Sequence, residues 1–193
     1  MSDIHGSDDA FAAVVDDLTA RGVERGVCLG DAVQGGDQPR EVLDRLAALG
    51  WPVVLGNADA FLLEVPTDSP EELTPKQLEK RAWTLEQLDE RRLDQIRSFA
   101  PTLDLEFDDG VRLRAFHGSP RSYDDLIFPE TGDAEVERLL GGSGADVLAG
   151  GHTHRQWARF VDGALFVNPG PVLEERAYAV LTGASVEFHR VGR

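Results

Sequence analysis

Four short apolar runs, each stopping at a glycine or a histidine, constrain the fold of this chain more than any other feature. They are Gly26 to Leu29 before Gly30, Pro52 to Leu55 before Gly56, Val111 to Phe116 before His117, and Asp146 to Ala149 before Gly150. Runs this short and continuously apolar suit strands buried on both faces, as in a sheet covered by helices. Helical spacing fills the intervals: Val42, Leu43, Leu46 and Leu49 mark Pro39 to Leu49, and Ala10 to Leu18 has a similar pattern. The alternation predicts an α/β core.

The texture changes twice more. Ser69 to Phe99 is charged and punctuated by leucine, with helix-opening signatures at Ser69-Pro70-Glu71-Glu72, Thr74-Pro75-Lys76-Gln77 and Thr84-Leu85-Glu86-Gln87. We expect a helical insert at about 69–99, its charges forming a solvated face. Beyond Gly144 the pattern is mostly β: Gln156 to Val161, Ala164 to Val167, Tyr178 to Leu181 and Ser185 to Val191, with turns at Asp162-Gly163 and Thr182-Gly183. A chain of 193 residues is long enough for one sizeable core, so a single domain over 1–193 is expected.

Composition excludes several partners. The net charge is −16, from 35 acidic against 19 basic residues, which leaves no broad basic surface for nucleic acid. An anionic substrate must therefore be captured locally, and bound divalent cations can reverse the potential inside one cleft. The lone Cys28 lies in an apolar run and reads as a buried small hydrophobe, so no disulfide or thiolate metal site forms within one chain. No apolar run spans a bilayer and the start lacks signal-peptide character, which points to a cytoplasmic protein without a membrane partner. Oligomeric state is left open.

The chemistry is expected where the apolar runs end. Four of five histidines, His5, His117, His152 and His154, stand beside glycine or another motif residue at a predicted strand end. Asp3-Ile4-His5 sets two donors two residues apart, where an extended backbone would aim both to one side, and His152-Thr153-His154 repeats the spacing. Gly30-Asp31 and Gly56-Asn57 add a carboxylate and an amide oxygen. Gly30, Gly56, Gly118 and Gly151 are expected to let the backbone turn tightly beside the donors. Imidazole, carboxylate and amide without thiolate favour Mn²⁺, Fe or Zn²⁺ over Cu(I) or an iron–sulfur cluster.

Taken in order, Asp3-Ile4-His5, Gly30-Asp31, Gly56-Asn57-Ala58-Asp59, His117-Gly118 and Gly151-His152-Thr153-His154 resemble the motifs of the calcineurin-like metallophosphoesterase superfamily. The likeness runs from residue 3 to Asn168-Pro169-Gly170, and the chain is most similar to small bacterial and archaeal phosphodiesterases lacking a histidine after the Gly-Asn pair. The resemblance implies a four-layer α/β/β/α sandwich of two mixed sheets, with two divalent metal ions where strands of both sheets end. Mn²⁺ comes first, with Fe, Zn²⁺ or Ni²⁺ as alternatives. It implies that Asp3, His5 and His154 hold one ion, that Asn57, His117 and His152 hold the other, and that Asp31 bridges them. It implies a phosphodiesterase acting on a small phosphorylated or nucleotide-like substrate by in-line attack of a metal-bridging hydroxide. Asp31, Asn57 and His117 are then catalytic, and Asn57 and Arg121 lie against the substrate. A phosphoprotein or dinucleoside polyphosphate is the alternative substrate. A non-catalytic scaffold of the same fold is the alternative of another class.

Two features depart from the family pattern. Ala58 stands where better-known members carry a histidine that protonates the leaving oxygen, so leaving groups of low pKa are expected. Relatives also have a short apolar strand before the first Asp-x-His, whereas Met1 and Ser2 alone precede Asp3 here. The expectation is a fold lacking its first strand, either through a late start, which we favour, or with ligands on a fraying terminus. Arg121 reads as a bidentate phosphate clamp or a plain surface arginine, and Asp59 as an orienting carboxylate or a helix cap. Asn168 carries little weight, Pro171 stands where a serine is often found, and His189 is expected to be solvated.

Overall fold

The computed structural model describes residues 1–64 and 73–192. The parallel strands form because the short apolar runs cannot satisfy their backbone groups alone. Val111 to Phe116 becomes β2 (Arg112–Phe116), flanked by β1 (Thr102–Glu106); the run ending at Ala149 becomes β3 (Val147–Ala149). With β4 (Gln156–Val161) and β5 (Ala164–Pro169) they make a five-stranded sheet in the order β1-β2-β3-β5-β4. Its three inner strands are parallel and its two edge strands antiparallel.

A second, narrower sheet faces the first. The hairpin of β6 (Ala177–Thr182) and β7 (Ser185–Arg190) is its regular part. The apolar runs ending at Leu29 and Leu55 contribute single parallel bridges, Cys28 to Val53 and Val54 to Ala100. Met1 to Asp3 joins them: Leu29 N–H donates to the Met1 carbonyl, Asp3 N–H donates to the Gly30 carbonyl, and Ser2 bridges Pro171. This segment is buried throughout, so the alternative of ligands on a fraying terminus is not the arrangement found.

Alternation along each strand sorts side chains between layers. Leu29 and Val54 of the narrow sheet meet Leu113, Ala115, Val147, Ala149, Leu165 and Val167 between the two sheets. Cys28 and Val53, pointing the other way, pack on α1 (Asp8–Ala20), α2 (Pro39–Leu49), α3 (Asn57–Leu63) and α5 (Glu90–Arg97). Phe116, Leu148 and Phe166 leave the five-stranded sheet on its far side and meet Val136, Leu139 and Leu140 of α6 (Asp133–Leu140). The result is the α/β/β/α sandwich. Among the described residues, no helix is long and apolar enough to cross a membrane.

Thr74 caps α4 (Pro75–Gln87), its hydroxyl accepting from Gln77 N–H at 3.3 Å while the Gln77 side chain receives Thr74 N–H at 2.8 Å. Thr84 opens no helix: it lies inside α4, its hydroxyl bonded back to the Lys80 carbonyl, and Asp89 caps α5 instead. Continuing α4 through Thr84 costs nothing in backbone hydrogen bonds, whereas Leu88 is extended and ends it. The signature at Ser69 to Glu72 lies outside the described residues. His189 is not freely solvated either, because its ring stacks on Tyr178 at 5.0 Å between centroids.

The fully buried face of α2 supplies a test. Leu46→Ala should lower unfolding free energy by about 2 to 5 kcal/mol, the usual range for a leucine truncated in a packed core, read from the urea midpoint at unchanged slope.

Candidate metal centre

All the expected donors lie at the carboxyl ends of parallel strands, where open α/β sheets leave a crevice. Asp31 and Asn57 follow the two runs of the narrow sheet, His117 follows β2, and His152 and His154 follow β3. The structure brings all seven together. Asp3, His5 and His154 form one group and Asp31, His117 and His152 another, with ligand atoms in each lying within 4.8 Å of one another.

In the first group the Nε2 atoms of His5 and His154 are 3.3 Å apart, and Asp3 Oδ1 lies 3.3 Å from His154 Nε2 and 3.9 Å from His5 Nε2. Donors bonded at about 2.0 to 2.2 Å to one ion stand about 3 to 3.5 Å from each other, so this triangle has the size of a coordination face. In the second, Asn57 Oδ1 is 3.1 Å from His117 Nε2, and the rings of His117 and His152 are 4.9 Å apart. Asp31 stands between the groups. Its Oδ2 lies 3.6 Å from His5 Nε2 and 3.5 Å from His117 Nε2, while its Oδ1 accepts Ala58 N–H at 2.8 Å.

Asp3 tests whether the site suits a cation. Its carboxylate is 0% exposed, and neither oxygen accepts a hydrogen bond, although His154 stands nearby. A buried carboxylate left so is costly unless a cation completes it. The donor chemistry and the orphaned oxygens both fit divalent metal ions.

The local backbone differs from the expectation of extended donors. Asp3, His5, Asp31, His152 and His154 all have positive φ, between 49° and 67°. Among the described residues only Asp162 and Arg176 join them outside glycine. Aspartate and histidine tolerate this region better than most residues, so the donor itself makes the turn. Of the four flanking glycines, Gly30 alone is left-handed, at 98°. Gly56 serves by smallness: a Cβ there would stand 2.2 Å from Asp31 Oδ1.

Neighbours orient the rings. His5 Nδ1 donates to the Gln34 carbonyl at 2.8 Å and His117 Nδ1 to the Leu29 carbonyl at 2.7 Å, which turns each Nε2 inward. His154 Nδ1 faces Glu174 at 3.3 Å, on the short α7 (Val172–Glu175). No sequence signal marked Glu174, which is far from every motif. Asn168, given little weight in the sequence, is fully buried: its Nδ2 donates to the Gly151 carbonyl at 2.7 Å and to Thr153 Oγ1 at 3.1 Å, pinning the His152–His154 turn. Asp59 is the third residue of α3 and not its N-cap, which is Gly56, and its carboxylate orients neighbouring backbone. It receives Gly56 N–H at the start of α3 and also the N–H groups of Ala32 and Val33, bracing the loop that carries Asp31. Arg121 is exposed and its guanidinium has no partner among the described residues. Cys28 is buried, and desolvation pushes its thiol up to about 12.

The profile of the calcineurin-like phosphoesterase superfamily domain matches residues 1–190. The chain belongs to this superfamily. It is 25% identical over 188 residues to the uncharacterised protein MJ0912 of Methanocaldococcus jannaschii, a match covering 95% of this chain and 74% of that one. The structure of a metallophosphoesterase from Sphaerobacter thermophilus is similar at 25% identity and a TM-score of 0.78, over 100% of this chain and 86% of that one. That of the hypothetical protein PH1004 from Pyrococcus horikoshii shares the fold at a TM-score of 0.87 and 18% identity, over 99% of this chain and 86% of that one. The four-layer architecture expected of the superfamily is thus the one found.

Electrostatics inside this phosphoesterase centre depend on its protons when no metal is bound. Burial disfavours charge on both Asp31 and His117, but their mutual attraction wins, holding Asp31 down at about 2 and His117 up at about 9. Desolvation, with the charge of Asp31, raises Asp59 to about 6. A histidine raised from its ordinary value of about 6.5 contributes stability that is complete below that value and lost as pH climbs through the folded one. Chelated protein should therefore show a urea midpoint that falls between pH 6.5 and 9, and His117→Gln should flatten that fall.

Proposed function

We propose that this protein is a two-metal phosphodiesterase acting on a small phosphorylated or nucleotide-like substrate. The observation that carries the reading is Asp31 Oδ2, one buried oxygen placed between two separate donor triads. Asp3, His5 and His154 would hold one divalent ion, Asn57, His117 and His152 the other, and Asp31 both. Mn²⁺ is the first choice. Two such ions, when bound, polarise the phosphoryl oxygens and lower the pKa of a water between them.

The rest of the work falls to the chain. Ala58 N–H fixes the rotation of the Asp31 carboxylate. Leu29 and Gln34 carbonyls hold the tautomers of His117 and His5, so no ring must reorient during turnover. Asn57, at the first position of α3, offers its side-chain amide to the cleft, where an oxygen on the ion leaves the N–H₂ for a phosphoryl oxygen. Arg121, exposed on the loop after His117, can give two parallel hydrogen bonds to phosphate.

Ala58 bears on substrate choice. The residue after Asn57 is an alanine, which cannot deliver a proton to the departing oxygen, so the leaving group must be stable as an anion. The same centre would act on a dinucleoside polyphosphate without change of chemistry, since a phosphate leaving group meets that requirement. The lone reduced thiol fits a cytoplasmic setting.

Metal-free protein should be screened with Mn²⁺, Ni²⁺, Zn²⁺ and Mg²⁺ against aryl diesters, aryl monoesters and nucleotides. Hydrolysis of aryl diesters with Mn²⁺ is the expected result, whereas silence throughout would favour a scaffold. Among aryl diesters kcat/KM should fall steeply as leaving-group pKa rises, and a flat series would count against an absent acid where chemistry limits the rate. Asp31→Asn should lower kcat at least 10²-fold, roughly the scale of one lost preorganised electrostatic contact, and more than Arg121→Ala.

A further inference from the structure

The chain has 17 arginines, of which all but Arg193 are described. Fourteen of these have a guanidinium within reach of a carboxylate or a backbone carbonyl. Examples are Arg45 on Asp8, Arg92 on Asp44 and Asp89, Arg114 on Asp104, and Arg81 on the carbonyls of Phe61 and Leu62. Such pairing is expected of a surface with nearly two acids per base. Two arginines have no partner among the described residues, Arg121 and Arg155. Each sits a few residues after a donor of the metal centre, Arg121 after His117 and Arg155 directly after His154. Among the described residues the exposed Lys76 and Lys80 of α4 also have no ion-pair partner.

The loop that carries Arg121 is built to hold it. Ser119 is buried, and its hydroxyl donates to Asp125 Oδ2 at 2.5 Å while receiving the N–H groups of Arg121 at 3.0 Å and Ser122 at 3.2 Å. Gly118 lets Asp125 close on the loop root, where a Cβ would stand 2.6 Å from the Asp125 carbonyl. The loop then leans on the histidine turn, Thr153 Oγ1 donating to the Ile127 carbonyl at 3.4 Å. Arg155 is in phase with Trp157 and Arg159 along the edge strand β4. That face is turned to the same loop, since Arg159 donates to the Thr131 carbonyl at 2.8 Å. Arg121 and Arg155 thus belong to adjoining segments that each follow donors of the same centre.

The same loop is unusually apolar where it meets solvent. Of seven exposed large hydrophobic residues among those described, Tyr123, Leu126 and Phe128 fall on it. Planar guanidinium groups and exposed aromatic rings carried by the same pair of segments suit a ligand with an anionic end and a flat or apolar body.

We infer that Arg121 and Arg155 form a second anion subsite, which takes a phosphate beyond the one at the metals, with Tyr123 and Phe128 against the attached organic group. The substrate class is therefore a nucleotide or aryl compound that carries a second anionic group next to the scissile phosphate. The inference rests on the proposed function, because the inner phosphate needs the metals as its anchor. It is distinct from the metal donors, none of which it involves.

Binding separates the two ideas. Calorimetry on the Mn²⁺-loaded protein should compare AMP with α,β-methylene-ADP, which adds one phosphate and resists cleavage. The diphosphate should bind about tenfold or more tightly, the scale of one charge-assisted contact. Arg121→Ala and Arg155→Ala should each remove most of that difference while weakening AMP less, and Arg155→Lys should restore part of it, since charge returns without the fork. Both positions are exposed and unpaired, so a lost difference at an unchanged thermal midpoint reports the subsite and not the fold. Equal affinity for the two nucleotides, or a difference untouched by both alanine variants, overturns the subsite and leaves the phosphodiesterase standing. A protein that takes up no Mn²⁺ overturns the proposed function and the subsite with it.

Discussion

Asp31 joins three loops through its three acceptors, and the geometry of the centre follows from that. Its backbone carbonyl receives His5 N–H at 2.8 Å, its Oδ1 receives Ala58 N–H, and its Oδ2 stands between His5 and His117. The loop after Leu29 is thereby tied to the first segment of the chain, to the start of α3 and to the end of β2. The demands on the neighbours are strict. Gly56 has no room for a side chain because Asp31 occupies it, and Gly30 must be bare because His117 Nδ1 and the Gly56 backbone would lie 2.8 Å from a Cβ. Asp59, buried beneath, holds the following backbone through Ala32 and Val33.

Such a centre is at odds with the stability of the fold that carries it. Five donors sit in a backbone region that costs of order 1 kcal/mol or more each for a residue with a side chain. Three carboxylates, Asp3, Asp31 and Asp59, are buried there, and neither oxygen of Asp3 accepts a hydrogen bond among the described residues. The sandwich tolerates this because the strain is confined to strand ends, while the strands themselves alternate cleanly between three packed apolar layers. A ligand that binds the folded state offsets the deficit by an amount that grows with the logarithm of its concentration over its dissociation constant. Order in the layers and conflict at their rim is the arrangement expected where function opposes local preference.

Those facts decide what could be read from the sequence. The parallel strands and α2 were legible because continuous apolar runs and 3.6-residue spacing survive any tertiary context. The donors were legible as a set because histidines are few and stand at strand ends. Their conformation was not: Asp-x-His at a strand end suggests extended backbone with both side chains to one side, and nothing in the letters announces two successive left-handed turns. The burial of Met1 to Asp3 was not legible either, since it comes from Leu29, Gly30 and Pro171, far away in the chain. Thr84 misled for the opposite reason: a local capping pattern was overridden because α4 already continued through it. Glu174 and Asn168 act through contacts across the fold, which no local pattern encodes.

Charge and the missing imidazole meet at the rim. A chain at −16 repels anions over most of its surface, and Ala58 withholds the proton that would neutralise a departing oxygen. Both deficits are met by positive charge that is local and fixed. Divalent ions at the donors would serve the phosphoryl group, and the unpaired guanidinium groups of Arg121 and Arg155 would serve negative charge developing beyond it. An arginine cannot donate its proton outright, yet two parallel hydrogen bonds stabilise an anion in place. On the proposed function, replacing proton transfer by charge neutralisation would restrict turnover to leaving groups that are already good anions, and a phosphate-bearing group is such an anion. The absence of a histidine after Asn57 and the arginines after His117 and His154, unpaired among the described residues, would then be two expressions of one substrate preference.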